Sequence, residues 1–265
     1  MRVAYTTVVE NTRLYGDTYL MWLEGEELGR GAAPGQFLML RCADDAALDP
    51  LLGRAMSYHR IRKGENGPEF SILYNVVGRG TEWLARRGPG QRIFGWGPLG
   101  HGYSLRGAGQ NLLLVGGGIG IAPLLWLADE AVAKGKSVVL VDGAAKADGV
   151  FPASLIPSEV EVVVTTEDGS MGRQGRVTDV FPEYYAWADQ VFTCGPNPMF
   201  AALADVLRRE EGSQRTRRRK PVQALLESPM ACGTGICYGC AVMDRRGEPR
   251  LVCKDGPRFE LREIW

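Results

Sequence analysis

Short runs rich in β-branched and aromatic residues alternate with turn-forming residues along the first hundred positions. The runs lie at residues 3–9, 18–23, 36–41, 56–61 and 69–77, and a short helical pattern follows at 81–87. Turn signals such as Pro34-Gly35 separate the runs. This pattern predicts a small antiparallel β-barrel, which we assign to residues 1–104.

From residue 111 onward the pattern changes to apolar runs interleaved with helical stretches. The runs read LLLV, SVVLV, VEVVV and QVFTC, and a helical pattern from 198 to about 211 closes the unit. Strands and helices alternating at this spacing predict a parallel α/β sheet, over residues 105–212. Residues 208–221 carry seven basic and two acidic side chains, which predicts an exposed connector into a small C-terminal domain at 213–265. The predicted fold class is therefore α+β with three domains.

The charge of the chain is balanced, with 31 lysines and arginines against 31 aspartates and glutamates in 265 residues. No overall field therefore favours nucleic acid or an anionic membrane as a partner. Residues 1–17 show no apolar segment, and glycines and Pro123 interrupt the most apolar stretch, at 112–128. We expect neither a signal peptide nor a membrane span. The cysteines do not resemble a disulfide framework, which favours the cytoplasm.

Three cysteines share one loop at C-x4-C-x2-C spacing, Cys232, Cys237 and Cys240, and Cys253 follows. This is the ligand pattern of a plant-type [2Fe-2S] cluster, and the glycines between the ligands let backbone N–H groups approach the sulfurs. The alternative is a structural zinc site, but such sites usually space their cysteines as paired C-x2–4-C knuckles. The spacing predicts a cluster and hence electron transfer.

Two glycine-containing turns follow strands of the predicted α/β unit. The turn GGGIGIAP at 116–123 opens a helix, where a dinucleotide pyrophosphate would meet free N–H groups. The turn CGPNPM at 194–199 also follows a strand, and the carboxyl ends of parallel strands form one rim. A ligand-free turn is the alternative for either one alone. Together they predict a nicotinamide dinucleotide site at Gly116, Gly117, Gly118, Gly120, Cys194, Gly195, Pro196 and Met199.

The barrel carries an arginine and hydroxyl groups close to a glycine-containing helix start, in RAMS at 54–57 and LYNVVGRGT at 73–81. These groups could hold a second pyrophosphate through charge-assisted and backbone hydrogen bonds. The alternatives are a solvated arginine and a turn with a threonine cap.

Taken together, the motifs resemble the electron-transfer subunits of NAD-linked (class 1B) dihydroorotate dehydrogenase, a branch of the ferredoxin reductase superfamily. The resemblance covers essentially the whole chain and includes GPLG at 97, TEDGSMGRQG at 166, ESPMACGTGICYGC at 227 and VCKDGP at 252. It implies FAD in the barrel, NAD in the α/β unit and one [2Fe-2S] cluster in the C-terminal segment. The flavin would then meet Arg54, Ala55, Met56, Ser57, Leu73, Tyr74 and Asn75, and its pyrophosphate Gly80 and Thr81.

Two positions depart from the family pattern. Family members usually have proline at the position of Ala55 and a lysine or arginine at that of Asn75, so the site loses a cation. We expect Arg79 to substitute for it. Asp142, which ends a strand, is interpreted either as an acceptor for a ribose hydroxyl or as a loop cap. Cys194 is interpreted as a packing residue or as a neighbour of the nicotinamide.

The chain offers no constellation for acid–base catalysis on a substrate, because His59 and His101 are its only histidines. We therefore predict no catalytic side chain here, and a hetero-oligomer in which dihydroorotate is oxidised on a flavin-bearing catalytic subunit. That subunit would dock near residues 233–238, with Met230, Ile236 and Tyr238 in contact and the basic segment 215–220 assisting. The alternatives are the small subunit of a ferredoxin:NADP oxidoreductase or sulfide dehydrogenase, or a zinc or cofactor-binding module without turnover.

Overall fold

The amino-terminal part of the chain folds into one antiparallel sheet that curves into a barrel. The computed structural model describes residues 1–65, 67–105, 107, 109–213 and 219–265. The sheet has the order β4-β3-β7-β1-β2-β6-β5. Its strands are β1 (Arg2–Tyr15), β2 (Thr18–Glu24), β3 (Phe37–Leu40), β4 (Arg54–Ser57), β5 (Arg60–Lys63), β6 (Pro68–Asn75) and β7 (Arg92–Leu99), with the short helices α1 (Glu26–Gly29) and α2 (Arg79–Ala85). Alternate side chains of β7 are buried, as expected when one sheet face covers a core.

The predicted barrel is confirmed, with two differences. The run at 56–61 is not one strand, because the chain changes its partner at Tyr58 and His59: the Tyr58 N–H donates to Gln36 O at 3.1 Å, next to β3, and the His59 N–H donates to Ser71 O at 2.8 Å, on β6. Strand β7 was not predicted, since its glycines and proline resemble a turn.

The second sheet has the order β11-β10-β9-β8-β12-β13-β16 and is parallel except for its last pair. Its strands are β8 (Asn111–Gly117), β9 (Ser137–Ala144), β10 (Val160–Thr166), β11 (Arg173–Gln174), β12 (Gln190–Cys194), β13 (Val222–Leu225) and β16 (Arg258–Glu260), and β14 (Ala241–Met243) with β15 (Pro249–Leu251) forms a separate hairpin. The helices are α3 (Ala122–Ala133), α4 (Val177–Trp187), α5 (Asn197–Ser213) and α6 (Leu261–Ile264). Within the described ranges, no helix is both long and apolar enough to cross a membrane.

Helices cover both faces of this sheet, which confirms the predicted α/β unit. Along β8, Leu112 and Leu114 pack with residues of α3, whereas Leu113 and Val115 pack with residues of α4 and α5. Buried parallel strands of this kind are apolar on both faces. The chain passes from β8 to β9 and β10 on one side and returns to β12 on the other, so the strand order reverses between β8 and β12. Open α/β sheets bind ligands at this point.

The cysteine-bearing segment is an excursion between two neighbouring strands of the same sheet. It leaves from β13 and returns on β16, which pairs antiparallel with β13. The sheet thus extends beyond residue 212, and the boundaries at 104 and 212 stay predictions. Residues 208–213 belong to α5 and not to a connector. The rest of the basic segment, 214–218, lies outside the described residues, and beyond it Arg219 contacts Glu211 at 3.5 Å.

Candidate cofactor sites

A cleft of about 620 Å³ lies where the barrel, the α/β sheet and the cysteine segment meet; we call it the central cleft. Eight of the nine predicted flavin residues line it: Arg54, Ala55, Met56, Ser57, Leu73, Tyr74, Asn75 and Thr81. The α/β unit adds Ile119, Pro123 and Cys194, and the segment after β13 adds residues 226–230. Its volume falls within the 300–1,000 Å³ typical of ligand pockets.

The ninth residue, Gly80, supports Arg54 from behind. A Cβ atom at position 80 would lie 2.8 Å from Arg54 Nε, so a larger residue would displace the guanidinium from its present place. The Arg54 NH1 group donates to Leu52 O at 2.6 Å, which holds the side chain at the cleft wall. A planar, permanently charged donor fixed in this way suits a phosphate oxygen. The residues present therefore fit a flavin dinucleotide.

The two positions that depart from the family pattern, Ala55 and Asn75, both line the cleft, and Asn75 is also hydrogen-bonded to β2. Asn75 Oδ1 accepts from the Thr18 hydroxyl at 2.7 Å. Arg79 pairs with Asp49 and does not line the cleft, so the expectation that it replaces the missing cation is wrong. The Thr81 hydroxyl accepts from the N–H of Val77 at 2.9 Å, so this side chain caps α2 as well as lining the cleft.

A second cleft of about 280 Å³ lies at the carboxyl ends of β8, β9 and β10; we call it the rim cleft. Four of the predicted NAD residues line it: Gly117, Gly118, Pro196 and Met199. The other four predicted NAD residues lie within the two turns, and one of them also lines the central cleft: Gly116, Gly120, Gly195 and Cys194, of which Cys194 lines the cleft. Gly116 pairs with Cys194 across β8 and β12, and a Cβ at Gly195 would lie 2.5 Å from Met199 Cε. A Cβ at Gly120 would overlap the carbonyl oxygen of Cys194.

The rim cleft contains polar groups that the sequence did not indicate. Thr165 lines it, and its hydroxyl is buried without a hydrogen-bond partner in the structure. Because a buried unpaired hydroxyl is unfavourable, the group is suited to a ligand that bonds it. Glu167 and Arg176 also line the cleft and form an ion pair at 3.5 Å. Asp142 is not part of the lining of this cleft: its Oδ2 accepts from the Phe151 N–H at 2.9 Å, which favours the loop-cap interpretation, and its Oδ1 is buried without a hydrogen-bond partner in the structure.

Cys194 and Glu227 both line the central cleft, beside the rim cleft. Burial, together with the nearby Glu227 carboxylate, raises the pKa of Cys194 well above its ordinary value, so the group is a neutral thiol. Burial also raises the pKa of Glu227. No role was predicted for Glu227. Its position could have indicated one, because it follows an apolar run whose end reaches the same rim.

The four cysteines predicted to hold a metal come together as two pairs. Cys237 lies close enough to Cys232, and Cys240 close enough to Cys253, to shift the pKa of its neighbour. In the described part of the chain, no three His, Cys, Asp or Glu side chains converge closely enough for a single metal ion. Two thiol pairs suit a cluster of two irons, whereas a structural zinc ion takes four ligands at one point.

Backbone N–H groups surround these sulfurs. Those of Thr234, Gly239 and Cys253 donate to Cys232, Cys237 and Cys240 at 3.3, 3.4 and 3.4 Å. Burial raises the pKa of Cys232, but hydrogen bonds more than offset this, and the pKa falls to about 5. Burial raises that of Cys253 to about 12. A bound cation would keep all four as thiolates.

Two apolar side chains of the cysteine loop are exposed. Ile236 and Tyr238, which flank Cys237, are 82% and 64% exposed. The third side chain expected on this face, Met230, instead lines the central cleft and packs against the core.

The comparisons with known proteins agree with this geometry. Residues 227–265 match the family model described as the iron-sulfur cluster binding domain of dihydroorotate dehydrogenase B. The chain is 38% identical over 262 residues to the dihydroorotate dehydrogenase B (NAD(+)) electron transfer subunit of Geobacillus thermodenitrificans, covering 97% of this chain and 96% of that protein. It is 36% identical over 270 residues to the subunit of the same name from Bacillus velezensis, covering 100% and 99%.

Solved structures extend the comparison to the fold. A chain of an NADH-dependent reduced ferredoxin-NADP oxidoreductase superposes with a TM-score of 0.83 at 27% identity, covering 99% of this chain and 90% of that one. A ferredoxin NADP+ reductase from Neisseria gonorrhoeae with bound FAD and NADP shares the fold alone, with a TM-score of 0.61 at 15% identity over 79% and 92%. The barrel, the α/β sheet and the cysteine segment thus define an oxidoreductase subunit of the ferredoxin reductase class. Within that class, the chain belongs to the family of electron transfer subunits of dihydroorotate dehydrogenase B (NAD(+)), which confirms the resemblance in the sequence.

Proposed function

We propose that this chain carries electrons between NAD and the flavin of a dihydroorotate dehydrogenase catalytic subunit, in pyrimidine biosynthesis, through its own FAD and [2Fe-2S] cluster. One observation carries the proposal: the central cleft takes its walls from the barrel, from the dinucleotide turn and from the cysteine segment. A flavin in this cleft lies between the other two sites. When bound there, FAD would supply the chemistry that links hydride transfer with nicotinamide to single-electron transfer with the cluster, and the protein would supply position and electrostatics.

The residues fall into three groups with separate tasks. We assign FAD to Arg54, Ala55, Met56, Ser57, Leu73, Tyr74, Asn75, Gly80 and Thr81. We assign NAD to Gly116, Gly117, Gly118, Gly120, Cys194, Gly195, Pro196 and Met199. The cluster ligands are Cys232, Cys237, Cys240 and Cys253. The support for each group is its place in the clefts and thiol pairs described above. A reducing, cytoplasmic location suits four thiolate ligands.

The catalytic subunit would dock on the exposed side of the cysteine loop. Exposed apolar side chains beside a redox centre suit a protein interface, because burying them on association is favourable. Ile236→Asp should weaken binding of the catalytic subunit and leave reduction of a dye by NADH unchanged. Leu155→Asp is the matched control, since Leu155 is also exposed but lies on the α/β unit. Equal binding by both variants would remove this face from the interface.

Reconstitution tests the function itself. The purified chain should reduce artificial acceptors with NADH and should not oxidise dihydroorotate. Addition of a dihydroorotate dehydrogenase catalytic subunit should produce NAD-linked dihydroorotate oxidation. Unaided oxidation of dihydroorotate by this chain would contradict the two-subunit arrangement.

The alternative is the small subunit of a ferredoxin:NADP oxidoreductase or of a sulfide dehydrogenase. The superposition on a chain of an NADH-dependent reduced ferredoxin-NADP oxidoreductase favours the first of these. Failure to bind the catalytic subunit, with efficient electron exchange with ferredoxin, would select it.

A further inference from the structure

One side chain, Trp96 on β7, connects the wall of the central cleft with the cysteine loop. Its Nε1–H donates to the backbone carbonyl of Cys232 at 3.0 Å. The far edge of its indole lies against Gly53, where an added Cβ would be 2.8 Å from Trp96 Cη2. Gly53 lines the central cleft and directly precedes Arg54. The two ends of one rigid ring therefore touch the flavin cradle and the first cluster ligand.

The neighbouring contacts show that the cysteine loop rests on the barrel at this place. Trp96 pairs with Met39 across β7 and β3. Gly233, next to Cys232, has a φ of +69°, and a Cβ there would lie 2.7 Å from Met39 Cγ. The loop therefore packs against apolar barrel residues. Because apolar contact has no preferred direction, it does not by itself fix the orientation of the loop. The directional hydrogen bond from Trp96 fixes the Cys232 backbone in one position.

We propose that Trp96 is a positioning residue that holds the cluster ligand Cys232 in a fixed relation to the flavin cradle. The inference deepens the proposed function and rests on it. Redox and catalytic groups must be held to within about 0.5 Å by side chains that packing and hydrogen bonds immobilise. An indole has two side-chain torsions, so it serves this purpose with little entropy to lose. Its hydrogen bond would act on the cluster through the backbone of the ligand Cys232. Hydrogen bonds to the residues that hold a metal tune the properties of the metal site.

The test compares Trp96→Phe with Trp83→Phe in the purified chain with its native cofactors. Phenylalanine keeps an aromatic ring over Met39 and removes the N–H donor. The control removes a similar donor, because Trp83 Nε1–H donates to Asp44 at 3.0 Å on the barrel, away from the cysteine loop. Stopped-flow absorbance follows flavin reduction by NADH, freeze-quench electron paramagnetic resonance follows cluster reduction, and a chelator assay follows iron release.

In Trp96→Phe we expect unchanged flavin content and flavin reduction by NADH. Cluster reduction should be slower and iron release faster, each by about fivefold, the factor for one lost hydrogen bond. The resonance spectrum of the reduced cluster should also shift, which a purely structural role would not produce. Trp83→Phe should match the wild type. Gly53→Ala, whose methyl group would displace the indole edge, should reproduce the slower cluster reduction.

Wild-type rates and spectrum in Trp96→Phe, in protein that contains both cofactors, would overturn the inference and leave the proposed function intact. Equal slowing of flavin reduction and cluster reduction would also overturn it, because that result indicates general loosening. A wild-type chain whose cluster NADH cannot reduce would instead overturn the proposed function.

Discussion

Gly120 lies against the carbonyl group of Cys194, so closely that a Cβ atom at position 120 would overlap the carbonyl oxygen. This contact joins the turn after β8 to the turn after β12 at the point where the strand order reverses. The two turns therefore keep their separation only with glycine at this position. A dinucleotide that lies across both turns depends on that separation.

Gly120→Ala should weaken NADH binding without loss of FAD. Overpacking of this kind costs about 1–3 kcal/mol, which corresponds to about fivefold or more in affinity if the turns move apart. NADH titration of flavin reduction measures the effect. Gly212→Ala is the control, because position 212 lies in α5 with open space around it. Wild-type NADH affinity in Gly120→Ala would contradict the placement of the dinucleotide.

Arg54→Ala should lower FAD occupancy. The variant removes a charged donor worth about 1.5–3 kcal/mol, so the FAD dissociation constant should rise about tenfold or more. Gly80→Ala should act through the same guanidinium, and the two changes combined should be less than additive. Released flavin fluorescence gives the occupancy. Arg13→Ala, which removes an exposed partner of Asp17, serves as the control and should retain FAD. Full occupancy in Arg54→Ala would place the flavin phosphates elsewhere.

Glu167→Gln should reduce the preference for NADH over NADPH. The Glu167 carboxylate lies in the rim cleft beside Arg176 and would repel a 2′-phosphate, while the variant leaves the guanidinium without its ion pair. Both side chains are more than half exposed, so we expect an effect of about fivefold at most. The ratio of kcat/KM for the two cofactors measures it. Glu161→Gln, an exposed change on β10, should leave the ratio unchanged. An unaltered ratio in Glu167→Gln would exclude this carboxylate from cofactor selection.

Asp142 should make the unfolding free energy fall as the pH rises. Burial raises its pKa from 3.8 to about 7, so the folded chain holds this proton more tightly than the unfolded chain does. The stabilisation from this tightly held proton is fully present below about pH 4 and is lost as the pH rises through about 7. The free energy of unfolding should fall by up to about 4 kcal/mol over this range. The thermal midpoint of the wild type should drop between pH 5 and pH 8 by more than that of Asp142→Asn.

Asp189→Asn provides the contrast for this experiment. Hydrogen bonds from the N–H groups of Asn111 and Gln110 lower the pKa of Asp189, so its stabilisation is lost only at pH values below 3.8. Its variant should therefore show the same drop between pH 5 and pH 8 as the wild type. A parallel pH response of the wild type and Asp142→Asn would contradict the raised pKa.

The sequence predicted the parts of the site that depend on local chemistry. The cysteine spacing and the two rim turns each need particular residues within a few positions of each other, so their grouping in space follows from the predicted strands. The parts that depend on contacts distant in sequence were not predictable. Trp96 and Cys232 meet across 136 positions, and nothing near either residue indicates the other. Strand β13 has four residues, too few to show that it extends the α/β sheet.

The expectation that Arg79 replaces the missing cation was wrong because it, too, depended on a contact between residues distant in sequence. Its neighbours in sequence belong to the flavin motif, but the side chain turns to Asp49, which lies on another loop. Charge near a motif does not determine where a long, flexible side chain points. Glu227, in contrast, follows the end of β13 on the same rim, and a search of strand ends for carboxylates would have found it.

The central claim is that one polypeptide holds the path from NAD through FAD to a [2Fe-2S] cluster. Anaerobic NADH titration of the purified chain, with iron, sulfide and flavin analysis of the same sample, tests it most directly. We predict equal amounts of iron and acid-labile sulfide together with FAD, flavin bleaching by NADH, and a resonance signal from a reduced cluster that any of the four Cys→Ser variants abolishes or destabilises. Stoichiometric zinc without sulfide, or a cluster that NADH cannot reduce, would contradict the account.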